Sequence, residues 1–407
     1  MLRFTEARQL VIAEIARAFR APETESVTLA AAAGRVLAGS VCADRDYPPF
    51  DRATRDGFAV RSDDLRAVPT ELQVIGELRA GAAFEGAVGE GQCVSIMTGA
   101  PVPAGADAVV MIEHTQPAAG DAVLIDRALE RGANIVLRGS EAASGAPILQ
   151  AGKRLGYAEV AMLAGVGCAC VPVFRRPRVA VLPTGEEIVE VDSAPQPFQI
   201  RNSNSYSLQA QVAAAGGEPW PLGIAPDEAG RLREMIEQGL AADLLLLSGG
   251  VSVGKYDLVE QVLRELGAEF YFDAVAIQPG RPLVFGQARG RFFFGLPGNP
   301  LSTMVTFELF ARPAIEMLAG AEATPLVFPR ARLAEAVRHQ PGLTRFLPAV
   351  LAPGESPRGW LEPVVRKLPW QGSGDIAALT RANCFLVVPE DREQLAAGET
   401  VSVLLKS

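Results

Sequence analysis

Residues 244–257 read Leu-Leu-Leu-Leu-Ser-Gly-Gly-Val-Ser-Val-Gly-Lys-Tyr-Asp, and no other stretch restricts the fold as strongly. A short, uniformly apolar run breaks into small residues, and a helical pattern from Leu258 to Leu266 follows. This is the pattern of a strand buried on both faces of a parallel sheet, delivering a loop to the sheet's carboxyl edge. Ligands bind at that edge, where backbone N–H groups and helix N-termini hold anions without a cation. Gly249, Gly254 and Lys255 fit G-x-x-x-x-G-K, but Tyr256 stands where a nucleotide phosphate loop needs a small hydroxyl for magnesium. Asp257 sets a carboxylate at the helix mouth, which suits a metal better than a bare phosphate. The expectation is an anion-and-metal loop of another kind.

A chain of 407 residues exceeds one ordinary core and implies two to four domains. Two histidines, His114 and His339, supply neither a zinc cluster nor a histidine-driven triad. The five cysteines (Cys42, Cys93, Cys168, Cys170 and Cys384) are scattered, and the Cys168/Cys170 spacing argues against zinc or redox use. Catalysis would therefore fall to carboxylates and a hard metal. A net charge of −9 argues against a nucleic-acid binder with a broad basic face. No apolar run reaches the ~18 residues of a membrane span. The N-terminus goes straight into an amphipathic helix that includes acidic residues, unlike a signal peptide, so a cytoplasmic protein is expected.

Phe4, Ala7, Val11, Ile15 and Phe19 recur at helical spacing, with Thr5 as the expected cap and Pro22 as the stop. A second short helix is expected over Ala30–Leu37. These pieces cannot close a core alone and should pack on something later in the chain. Asp56-Gly57 reads first as a hairpin turn, with the Asp56 carboxylate at an exposed tip. Short alternating runs follow at Leu72–Ile75, Val94–Met97, Val109–Ile112 and Val123–Ile125, the signature of a small all-β module. Within it Thr98 is the single hydroxyl of a loop stiffened by proline and glycine.

From Arg178 strand and helix alternate regularly. Val179–Leu182 ends in Pro183-Thr184-Gly185-Glu186-Glu187. Asn204 or Ser205 is the expected cap of a helix ending at Gly216-Gly217, Trp220–Ile224 is a strand, and Asp227 sits at the start of the next helix. Val275–Ile277 leads to Gln278-Pro279-Gly280-Arg281, and Phe292–Phe294 leads to Pro297-Gly298-Asn299-Pro300-Leu301-Ser302 and a long helix. The fold class expected is α/β plus all-β modules. Its parts are a discontinuous helical and extended domain (1–43 with 140–173), an inserted β-rich module (44–139), a doubly wound α/β domain (174–320) and a C-terminal β-barrel (321–407). Strands expected in the barrel are Leu361–Val365, Cys384–Val388 and Val401–Leu405.

Five motifs resemble those of the molybdopterin molybdenumtransferase family, bacterial relatives of the catalytic domain of gephyrin. They are Pro48-Pro49-Phe50-Asp51 with Asp56-Gly57-Phe58-Ala59, Met97-Thr98-Gly99-Ala100-Pro101, Pro183-Thr184-Gly185-Glu186-Glu187, Ser248-Gly249-Gly250-Val251-Ser252-Val253-Gly254 and Leu296-Pro297-Gly298-Asn299-Pro300. They occur in the family's order and spacing over nearly the whole chain. The resemblance implies a four-part protomer and a homodimer with composite active sites. It also implies insertion of molybdate, as substrate, into adenylylated molybdopterin with magnesium and release of AMP. The molybdopterin adenylyltransferase is a further implied partner.

By that resemblance Asp56, Thr98, Glu187, Asp227 and Asp257 are the candidate catalytic residues. Glu187, Asp227 and Asp257 are the candidate magnesium ligands, since carboxylates would repel a polyanion unless a hard cation lay between them. Asp227 has an equal claim as a plain helix N-cap. Substrate-binding candidates are Pro183, Thr184, Gly185, Asn204, Ser248, Gly249, Gly250, Ser252, Gly254, Arg281, Pro297, Gly298, Asn299, Pro300 and Ser302, with Arg345 and Ser373 from the last domain. The chain departs from the family pattern at Ala274 and Gln278, where lysines are common, leaving Arg281 as the cation of that segment. It departs also at Asn202, which replaces a common aspartate, and at Ser140. Alternatives are use of tungstate, nucleotide pyrophosphate hydrolysis, and a non-enzymatic scaffold.

Overall fold

The computed structural model describes residues 1–250, 258–354 and 362–406. Ser252, Gly254 and Asp257 lie outside the described residues. The chain forms two compact units, one of residues 27–33 and 39–171, the other of residues 1–26, 34–38 and 172–407. The four-part division read from the sequence is finer than this partition, and we keep it as a proposal.

In the second of these units the expected alternation is realised as a six-stranded sheet. Its order is Glu218–Pro221, Arg178–Pro183, Leu244–Ser248, Arg291–Leu296, Val284–Ala288, Glu269–Phe272. The first four strands run parallel. Side chains of successive strand residues point to opposite faces, and both faces are covered. Val179, Val181, Leu244, Leu246, Phe292 and Phe294 enter one apolar cluster, while Ala180, Leu182, Leu245, Leu247 and Phe293 enter another. The helix Ser203–Ala215 packs in the first cluster through Leu208 and Val212. The helix Ala229–Gly239 packs in the second through Leu232 and Ile236. Chain order therefore reverses between Arg178–Pro183 and Leu244–Ser248, which makes their carboxyl ends a topological switch point.

Several expectations are corrected here. Val275–Ile277 does not continue this sheet; the strand is Ile277–Gln278, and it pairs parallel with Thr344–Arg345 of the C-terminal barrel. The strands Glu269–Phe272 and Val284–Ala288, antiparallel to their neighbours, were not expected. The barrel closes through five strands: Thr344–Ala352, Val364–Lys367, Arg330–Leu333, Thr400–Leu405 and Cys384–Val388, the last returning to the first. The first helix runs Phe4–Ala18 with Arg3, not Thr5, as its cap residue, and the Glu6 carboxylate accepts the Arg3 N–H at 2.9 Å. Its Phe4, Ala7, Val11 and Ile15 join the core beside Phe310 and Phe346. The short helix expected over Ala30–Leu37 is one 3-10 turn, Leu29–Ala31.

The other unit holds a six-stranded sheet ordered Ala108–Met111, Gly57–Val60, Gln92–Ile96, Thr70–Leu78, Ala122–Ile125, Thr115–Pro117. The Asp56-Gly57 hairpin turn is overturned. Gly57 opens a strand that lies between Gln92–Ile96 and Ala108–Met111. A Cβ there would stand 1.8 Å from the Val110 carbonyl oxygen, so close backbone approach, not turn geometry, demands the glycine.

Among the described residues no helix is long and apolar enough to cross a membrane. No group of three His, Cys, Asp or Glu side chains is gathered there to hold a metal.

Candidate functional site

Three parallel strands end side by side at Pro183, Ser248 and Leu296, paired Pro183 to Ser248 and Ser248 to Leu296. The loops that leave them, with the segment 277–282 and the barrel residues Leu343, Trp370, Gly372 and Ser373, line one cavity of about 1060 Å³. It lies where the chain order reverses.

Glycine makes the convergence of the loops possible. Gly249 has φ of 92°, and a Cβ on it would lie 2.5 Å from the Thr184 carbonyl oxygen; on Gly250, with φ of 60°, it would lie 2.6 Å from Thr184 Oγ1. Asn204 then ties the loops together. Its Nδ2 donates to Ser248 Oγ at 2.8 Å and to the Gly298 carbonyl at 2.7 Å. The helix carrying it is capped not by Asn204 or Ser205 but by the earlier Asn202, whose Oδ1 accepts the Ser205 N–H at 3.1 Å. An asparagine in place of aspartate thus still caps, while Asn204 is released for the cavity wall. On the barrel side, Asp375 Oδ1 accepts the Ala378 N–H at 2.9 Å and its Oδ2 the Gln371 N–H at 3.0 Å. Those two N–H bonds hold the Asp375 carboxyl below its usual range. The turn so fixed meets the start of the helix Pro300–Thr306, where the Leu301 N–H donates to the Ser373 carbonyl at 3.0 Å.

Of the expected site residues, Thr184, Gly185, Glu187, Asn204, Asp227, Ser248, Gly249, Gly250, Arg281, Pro297, Gly298, Asn299, Pro300, Ser302 and Ser373 all line this cavity. Pro183 is buried at a strand end just short of it. Arg345 is not among the lining residues. It sits half-buried on the strand Thr344–Ala352, its guanidinium donating to the Gln340 carbonyl at 3.0 Å, and burial pushes its pKa down. Asp227 is not a helix cap, since the cap residue is Glu228, so its carboxylate is left to the cavity. Asp56 and Thr98 belong to the other unit. Asp56 Oδ1 accepts the Thr98 N–H at 2.6 Å and its hydroxyl at 2.8 Å. Those bonds, the backbone one first, hold the Asp56 carboxyl below its usual range.

Arg201, Trp370 and Leu343 line the cavity without having been assigned to it from the sequence. Trp370 was findable, because it immediately precedes the Gln371–Asp375 turn that drew attention to Ser373. Among the described residues, three buried polar atoms of the lining have no hydrogen-bond partner: Thr184 Oγ1, Asn204 Oδ1 and Gln278 Oε1. Such atoms are costly unless something completes them.

Among the described residues the wall carries two exposed carboxylates, Glu187 and Asp227, and two guanidinium groups, Arg201 and Arg281. Magnesium is held by one or two carboxylates together with substrate phosphates and water, so this hard oxygen pair fits it without a closed protein cage. The arrangement can take up a polar, anionic molecule of substantial size.

Comparison with known proteins shows the family to which the chain belongs. The family described as "MoeA N-terminal region (domain I and II)" matches residues 2–167. "Probable molybdopterin binding domain" matches 180–317, and "MoeA C-terminal region (domain IV)" matches 330–406. A molybdopterin molybdenumtransferase of Bacillus subtilis (strain 168) is 36% identical over 391 residues, 94% of this chain and 90% of the relative. One from Nostoc sp. (strain PCC 7120) is 40% identical over 306 residues, covering 73% of this chain and 70% of the relative. The crystal structure of a molybdopterin biosynthesis moeA protein from Pyrococcus horikoshii OT3 superposes with a TM-score of 0.81 at 31% identity, covering all of both chains.

Proposed function

The chain belongs to the molybdopterin molybdenumtransferase family of transferases, and from that premise we propose that it inserts molybdate into adenylylated molybdopterin, with magnesium and release of AMP. One observation carries the reading. The carboxyl ends of three parallel strands deliver their loops to a single cavity whose wall, among the described residues, combines two carboxylates, two guanidinium groups and unpartnered buried polar atoms.

Each part of the substrate then has a counterpart. Glu187 and Asp227, with Asp257, would hold magnesium, which when bound neutralises the pyrophosphate and polarises its phosphorus–oxygen bonds. Arg281 offers a planar fork to the molybdate oxyanion, a geometry an ammonium lacks. Gly249 and Gly250 let their loop pack directly on Thr184, so two strand-end loops meet in the cavity wall, where their backbone N–H groups would take up phosphate. Asn204 holds the loops of two strands in register, so the site is preorganised before substrate arrives.

We further propose, on the family resemblance, that the protein acts in the cytoplasm as a homodimer. Asp56 and Thr98 of one copy would complete the site of the second, and the substrate would come from the molybdopterin adenylyltransferase. The test is incubation of the purified chain with adenylylated molybdopterin, magnesium and molybdate, or tungstate in parallel. AMP and metallated cofactor should form in equal amounts. AMP formed without metal incorporation would point to pyrophosphate hydrolysis, and neither product would point to a scaffold.

A further inference from the structure

We propose that Trp370, with Asn204 and Gln278, forms a subsite for the flat heteroaromatic ring of the substrate; this rests on the proposed function and adds a recognition element to it. Among the described lining residues Trp370 is the sole aromatic. Its indole is half-buried and packs against both the α/β core and the barrel core. Hydrogen bonds anchor the chain on either side. The Leu368 N–H donates to the Pro348 carbonyl at 2.9 Å, and the Gln371 N–H donates to Asp375 at 3.0 Å. The ring is therefore held ready, and stacking on it costs little side-chain entropy.

The second observation is the sign of the leftover hydrogen-bonding capacity. Gly298 O can only accept, so its bond from Asn204 fixes which end of that carboxamide is nitrogen. Asn204, 7% exposed, is left with an acceptor oxygen and no donor among the described residues; Gln278 Oε1 is also unpartnered there, and its carboxamide, with neither end fixed by a bond, can turn to accept from a ring donor. Phosphate and molybdate oxygens accept hydrogen bonds and cannot satisfy these atoms. A ring N–H or exocyclic amine can. A ring that stacks and donates describes both ring systems of adenylylated molybdopterin, the pterin and the adenine.

The test titrates the full-length protein with 6-hydroxymethylpterin, AMP and inorganic phosphate, following tryptophan emission for quenching and the heat of binding by calorimetry for affinity. One of the ring probes should quench the wild type, and the probe that does so identifies the ring. Inorganic phosphate should not quench. Trp370→Phe should abolish the quenching while keeping affinity within about threefold, because a stacking face remains. Trp370→Leu should weaken the ring probe by about tenfold or more. Failure of both ring probes to quench the wild type overturns the subsite, as does Trp370→Leu binding both of them like the wild type. If Trp370→Leu does not fold, the lost quenching in Trp370→Phe decides. Trp370-dependent quenching in a chain that releases no AMP would overturn the proposed function and keep the subsite. Normal AMP release with an unchanged KM in Trp370→Leu would overturn the subsite alone.

Discussion

Asn204 Nδ2 lies 2.7 Å from the Gly298 carbonyl oxygen, joining the first turn of one helix to the loop that opens another 94 residues later. The same nitrogen reaches Ser248 at the end of the central strand. Removing the carboxamide leaves a buried carbonyl and a buried hydroxyl without that donor. Asn204→Ala should therefore cost about 1–3 kcal/mol, read as a lower urea midpoint. Asn204→Asp should cost at least as much, because an ionised carboxylate has nothing to donate.

Gly249 should tolerate no side chain. With φ of 92° and a Cβ position 2.5 Å from the Thr184 carbonyl oxygen, alanine forces the two strand-end loops apart. Gly249→Ala is expected to destabilise by about 1–3 kcal/mol and to lower AMP release more than thermal stability, since the displaced loops form the cavity wall. Calorimetry and the AMP assay on the same preparation separate the two effects.

In the other unit, Asp56 is held below the usual carboxylate range by the Thr98 N–H first and its hydroxyl second. A depressed native value means that these bonds stabilise the folded state above the unfolded pKa. That contribution is lost as pH falls through the lower native value. Thr98→Val keeps the N–H and removes the hydroxyl, so the Asp56 pKa should rise part of the way toward normal. Carbon-13 titration of the Asp56 carboxyl would show this, and an unchanged value would mean that the hydroxyl bond does not form.

Much of the α/β unit was legible, because a strand buried on both faces leaves a continuous apolar signature. Leu244–Leu247 delivers alternate side chains to two cores, as its composition requires. The strand-end loops were legible for a related reason: only glycine fits where Gly249 meets Thr184. Long-range pairing was not. Nothing within Ile277–Gln278 says that its partner is Thr344–Arg345, and although the β-rich C-terminal part reads as a small barrel, the sequence does not say which strand closes on which. Asp56-Gly57 misled because a turn and a crowded strand start both call for glycine, and only the position of Val110 decides between them. The cap of the helix Ser203–Ala215 was misassigned by two or three residues, since Asn202, Asn204 and Ser205 all have capping side chains and the backbone selects one.

Arg281 is expected to act on the oxyanion. Arg281→Ala should raise the KM for molybdate by about tenfold or more and that for adenylylated molybdopterin by less, given the loss of a charge-assisted, two-pronged contact. Equal effects on both would assign the side chain to the pterin phosphates.

On the proposed function, AMP leaves and the metal enters in the cavity that holds Glu187 and Asp227. The direct measurement compares wild type with the Glu187→Gln/Asp227→Asn double variant, following AMP and metallated cofactor from adenylylated molybdopterin, magnesium and molybdate. Both carboxylates are exposed loop residues, so the variant should unfold at the wild-type midpoint. Its output of both products should fall at least about a hundredfold, as loss of charge-positioning groups at a reacting centre does. A folded double variant that released AMP and filled the cofactor at the wild-type rate would contradict the account.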